Sequence, residues 1–214
     1  LVVLLLPESL PEHDRKRETA LRGPQLTELW RALLGPIGVL LVMAFLVSFG
    51  LTNFEGVFSL YALERYGYGP ERVGLIMMFV GVTSALLQGL LTGPPSRRWG
   101  EANIIRASLL VSAVGFVAMT LARDFAGVVL TTLIFISGNA LLRPSVSSLT
   151  SQLAPGGQGM AMGLNNAFMS LGRVFGPILA GLLLDGNLNL PDYSGAIVMA
   201  VGFRLRLLWL RSAG

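Results

Sequence analysis

The 214-residue chain has no cysteine and a single histidine, His13. The first absence excludes disulfides, thiolate nucleophiles and cysteine-bound zinc. The second excludes a multi-histidine metal centre, so no metal is expected. The only lysine is Lys16, and no G-x-x-x-x-G-K sequence occurs, which excludes a phosphate-binding loop of the Walker type. Charge is scarce: 13% of residues are Asp, Glu, Lys or Arg, against the roughly 25% usual in a soluble domain. No Ser–His or paired-carboxylate arrangement presents itself, so the sequence does not read as an enzyme.

What the chain has instead is hydrophobic length. Apolar residues make up 53% of it, and they gather in six runs at 36–63, 73–93, 104–122, 125–153, 160–184 and 193–210. A helix needs about 20 residues to cross the ~30 Å hydrocarbon core of a bilayer, and the first five runs meet that length. The 26 glycines are spread through the runs, where small residues let membrane helices approach closely. The expected fold is therefore an all-α membrane protein with six transmembrane helices, and its first partner is the lipid bilayer. The sixth run is the weakest, because Arg204 and Arg206 interrupt it after Phe203. An altered C-terminus or a helix that ends early is expected there.

Basic residues sort by side. Arg15, Lys16, Arg17, Arg22, Arg31, Arg97, Arg98, Arg106 and Arg211 fall on one face of the implied topology, and Arg65, Arg72 and Arg123 on the other. The richer side is cytoplasmic by the positive-inside rule. This bias accounts for the net charge of +4 without a nucleic-acid partner. Residues 1–6 read as the end of a preceding transmembrane helix, 7–35 as a cytoplasmic connector, and 36–214 as a six-helix bundle. The outer loops, 66–70, 123–124 and 186–192, are short.

Ionic side chains within spans cost at least ~2.5 kcal/mol and are usually paired or functional. Glu55, Arg143 and Arg173 qualify, together with the amides Asn53, Gln88, Asn139, Asn165 and Asn166. Glu55 can carry a proton or attract a cation; the alternative is a structural, hydrogen-bonded carboxyl. Counting from the outer ends puts Glu55 and Arg173 at matching depth, which would suit an ion pair. Arg173 could instead bond carbonyls freed near Pro177. Arg143 beside Pro144 marks either a gate hinge or a snorkelling side chain. Phe58, Tyr61 and Phe168, with Phe54 and Phe79, form either an aromatic cavity wall or ordinary packing.

Two patterns give these residues a setting. Gly74, Leu75 and Phe79 repeat as Gly163, Leu164 and Phe168 at constant offset, which reads either as two three-helix units inserted in opposite orientations or as membrane composition shared by Gly-rich helices. Residues 159–181 read GMAMGLNNAFMSLGRVFGPILAG. Within them Gly172, Gly176, Pro177 and Gly181 resemble the G-x-x-x-G-P-x-x-G-G signature of the major facilitator superfamily. Residues 93–100, GPPSRRWG, resemble a degenerate copy of that family's cytoplasmic loop motif. Gly93, Arg98 and Gly100 match, while Arg97 stands where the family has Asp and removes the negative partner of its charge relay. Residues 54–67 and 138–151 are similar to the seventh and tenth helices of the drug:proton antiporter branch.

The resemblance implies the C-terminal half of a twelve-helix transporter, six helices in two inverted three-helix repeats, with an N-terminal six-helix half as partner. It further implies efflux of lipophilic or cationic small molecules by alternating access in a bacterial cytoplasmic membrane. A proton gradient would supply the energy, and no cofactor is called for. A carrier for a sugar, organic acid or other metabolite has the same fold, and a non-transporting membrane scaffold is a further alternative.

Overall fold

A computed structural model of the chain describes residues 33–35, 37–91, 99–153 and 158–212, with side chains placed except at Leu91 and 206–212. Residues 1–6, nearly all of the connector 7–35, and the loop-motif residues Gly93, Arg97 and Arg98 lie outside the described residues. Among the described residues there are six helices and no strand: α1 (Gly38–Tyr66), α2 (Pro70–Leu91), α3 (Glu101–Leu121), α4 (Phe125–Gln152), α5 (Gln158–Leu184) and α6 (Leu190–Ser212). The helices α1 to α5 are long and apolar enough to cross a membrane. With no water in a bilayer core to satisfy backbone N–H and C=O groups, helices are the form such sequences must take.

Local chemistry sets the helix ends. Gly67 closes α1 with φ 66°, a left-handed conformation that costs glycine nothing; its N–H bonds Leu63 O at 2.9 Å and the Tyr68 N–H bonds Ala62 O at 3.1 Å. Asp124 caps α4, its Oδ1 accepting the Gly127 N–H at 2.8 Å. Asp124→Ala should therefore lower stability by about 1 kcal/mol and Asp124→Asn by much less, as read by thermal unfolding in detergent.

Two expectations fail at the C-terminal end. The last helix does not stop at Phe203; α6 continues past Arg204 to Ser212. Arg204 is exposed, so its charge need not be buried for the backbone bonds to continue. Asp192 does not lie in an outer loop. It belongs to the first turn of α6 and is buried against the bundle.

The closest helix pairings are α1 with α5 and α3 with α4, followed by α3 with α6, α1 with α6, α2 with α4 and α1 with α4. Exchanging α1 with α4, α2 with α5 and α3 with α6 maps this set onto itself. Inverted three-helix repeats require that exchange symmetry. Glycine makes the closest approaches possible. A Cβ at Gly115 would stand 2.5 Å from the Phe135 backbone, and one at Gly138 would stand 2.6 Å from Ser108 O. The aromatic core fills the remaining space: Phe116 and Phe135 have centroids 4.3 Å apart, and Phe54 lies 5.2 Å from Phe135.

Helices α1 and α5 run in the same direction, and their contacts fix the register. Gly172 meets Phe45 and Phe49, Gly176 meets Phe49 and Asn53, and Pro177 meets Gly56. The Thr52 hydroxyl lies 3.2 Å from Gly172 O and 2.9 Å from Ser48 O in its own helix, and its single proton is shared between them. On this register Arg173 stands about one turn, ~5 Å, inward of Glu55. Counting from the outer ends gave equal depth because it took those ends to be level, whereas the contacts show a stagger.

Candidate functional site

The structure divides the sequence-predicted residues into two groups. Asn53, Asn139, Asn165, Phe58 and Tyr61 are buried inside the bundle. Asn53 donates through Nδ2 to Ser194 Oγ at 3.0 Å, tying α1 to α6. Asn165 donates through Nδ2 to Ser147 Oγ at 3.1 Å, tying α5 to α4. These amides fasten helices, a use that lipid favours because an unpartnered amide there is costly. Phe58 packs on Phe54 with centroids 4.7 Å apart.

Glu55, Gln88, Arg143, Asn166 and Arg173 are exposed, and Phe168 is half-buried. On α5, Asn166, Ser170 and Arg173 follow one another at four and three residues and are all exposed, so they form a polar stripe along one helix face. On α1, Glu55 and Ser59 are exposed four residues apart, with the half-buried Thr52 one turn before. Because α1 and α5 are each other's nearest neighbours, the two stripes flank a shared seam. The Arg173 charge acts on the Glu55 carboxyl across it. An exposed carboxylate and guanidinium at mid-span are tolerated where they meet water or another protein surface, and hardly at all against acyl chains.

Gly172, Gly176 and Pro177 form the floor of this seam by pressing α5 onto α1; Gly181 lies beyond it, with open space where a Cβ would point. Arg143 is exposed on α4 one residue before Pro144, and the helix continues through that proline to Gln152. Gly100, the loop-motif residue that the structure describes, has φ 75° and leads into α3. Beside it Glu101 accepts a bond at Oε1 from Ser148 Oγ at 2.6 Å, joining the inner ends of α3 and α4.

Further polar partners escaped the sequence reading: Asp192, Ser194 and Ser147. Serines in a membrane chain carry no distinguishing signal, and Asp192 sits at the edge of an apolar run where a loop carboxylate is ordinary. Among the described residues no group of three or more His, Cys, Asp or Glu is placed to hold a metal ion.

An all-helical membrane bundle with inverted-repeat pairing, and with Glu55 and Arg173 flanking one seam at mid-span, has the form of a carrier rather than of a catalyst. The family model described as Major Facilitator Superfamily matches residues 1–158 and 40–213. The chain belongs to that superfamily, a transporter family and not an enzyme family, and is an integral multi-pass membrane protein. It is 30% identical over 209 residues to Multidrug resistance protein 1 of Bacillus subtilis (strain 168), covering 98% of this chain and 54% of that protein. It is also 30% identical over 199 residues to the Quinolone resistance protein NorA of Staphylococcus aureus (strain COL), covering 90% of this chain and 49% of that protein. The chain thus spans about half the length of the curated relatives it matches.

Proposed function

We propose that this chain forms the pathway-lining six-helix bundle of a proton-driven exporter of lipophilic, cationic small molecules. A second six-helix bundle facing the α1–α5 seam would complete the pathway, and rocking of the two would expose it alternately to either side. The observation that carries the reading is Glu55, an exposed carboxyl at mid-span beside the Arg173 stripe. Its negative charge attracts a cation, and its protonation releases one, so proton and substrate compete for one group. Arg173 neutralises the carboxylate once substrate has left. The relatives named for multidrug and quinolone resistance support export over uptake, and a bacterial cytoplasmic membrane is the matching location.

Flux in bilayers containing this bundle and its complementary one tests the reading. A lipophilic cation should move outward faster when a pH gradient is imposed and stop responding when the gradient is collapsed. Flux insensitive to the gradient, or equal flux of a neutral polar solute, would reject it. The exchange Glu55→Arg with Arg173→Glu probes the seam directly. If the two charges work as a pair across one turn, the double variant should recover part of the flux that each single change removes.

A further inference from the structure

A small cavity closes at the outer ends of α1, α4 and α6, between Phe54, Tyr61, Thr132, Met119 and Asp192. Its free volume is about 10 Å³, room for about one water molecule. Glu55 is not part of its lining. Three polar side chains border it while buried in the bundle: Asp192 at 8% exposure, Tyr61 at 6% and Thr132 at 1%. Asp192 Oδ2, the Tyr61 hydroxyl and Thr132 Oγ1 each lack a hydrogen-bond partner within the protein.

Buried polar atoms in folded proteins nearly always have partners, so three orphans around one water-sized space mark a place where something else satisfies them. We propose that Asp192, Tyr61 and Thr132 form a proton-binding site around a single water molecule, separate from Glu55, at the outer end of the bundle. A protonated Asp192 donates to the water, and the water bonds Tyr61 and Thr132. Loss of the proton leaves a carboxylate buried at the joint between α6 and the rest of the bundle.

The charged and titratable groups facing Asp192 are Arg65, Tyr61 and Tyr66, all from α1. From α3 the cavity receives Met119, and from α4 Val128, Thr131 and Thr132, none of which titrates. Arg65 is held away from the cavity's centre, bonding Thr120 O through a guanidinium nitrogen at 3.3 Å with its charge 5.8 Å from the Tyr66 ring centroid. It therefore attracts the carboxylate without neutralising it in contact. Asp192 stands in the first turn of α6, enclosed by residues of α1, α3 and α4.

Infrared difference titration of the full chain in lipid bilayers tests this site without reference to transport. A protonated carboxyl band should titrate with pH, vanish in Asp192→Asn and persist in Glu55→Gln. Its absence, its survival in Asp192→Asn, or a dependence on sodium ions rather than on pH would overturn the proposal. Should Asp192→Asn fail to fold, Arg65→Gln provides the second reading. Removing the opposing charge must move the band's titration to higher pH, and an unmoved titration equally overturns the site. Failure of proton-driven flux alone would bear on Glu55 and leave this result standing.

Discussion

Glu55→Gln should weaken binding of a lipophilic cation about tenfold or more and abolish its acceleration by a pH gradient, while binding of a neutral analogue stays unchanged. The argument is electrostatic. Two unit charges 4 Å apart attract by about 4 kcal/mol at an effective dielectric of ~20, and by about 1 kcal/mol in bulk water. The seam lies between these limits, because α1 and α5 wall one side and the Glu55 side chain is exposed on the other. About 1.4 kcal/mol of lost attraction is already tenfold in affinity. Gln is close to isosteric and remains polar, so the change tests charge and proton capacity rather than shape. Glu55→Asp should retain the pH response with altered affinity. Equilibrium binding of a fluorescent cation at two pH values separates these outcomes. Wild-type binding should rise with pH as the carboxylate forms, and binding by Glu55→Gln should be flat.

The architecture was legible because a bilayer imposes coarse rules. Run length alone marked α1 to α5, and the start of α4 at Phe125 was placed to the residue. Inverted repeats rested on three matched positions in the sequence, and the six closest helix pairings carry the same symmetry. Site residues were legible by type and not by direction. Asn165 and Asn166 are neighbours of identical chemistry, yet one is buried against Ser147 and the other is exposed. Which of the two turns inward depends on the rotation of α5, which Gly172 and Gly176 fix by contact with α1. Asp192 was illegible for a related reason. Its burial comes from the docking of α6 against α1, a long-range contact that leaves no periodic trace at a helix start. An early end for α6 at its arginines, one of the two outcomes expected there, rested on hydropathy, which measures the cost of charge at full burial. Arg204 is exposed on α6, so the helix continues past it without burying its charge inside the bundle.

Gly172→Leu should destabilise the bundle by ~3 kcal/mol, the upper part of the usual range for overpacking, and should collapse both flux and cation binding. Two features make this substitution severe. A Cβ on residue 172 would lie 2.5 Å from Phe45 O and 2.8 Å from Phe49 N, and these are backbone atoms that no rotamer change can move. It would also carry the Gly172 carbonyl out of reach of the Thr52 hydroxyl, whose proton would then serve only Ser48 O in its own helix. The contact zone is continuous, since a Cβ at Gly176 would come within 2.7 Å of Phe49 O. Separating the helices at one glycine therefore opens the seam along its length and parts Glu55 from Arg173. Gly181→Leu is the matched control: open space surrounds that position, so it should unfold near the wild-type temperature with binding intact. Comparing the two variants by thermal unfolding in detergent and by cation binding distinguishes a seam held by close backbone contact from one held by general apolar burial. In the second case both leucines would be tolerated alike.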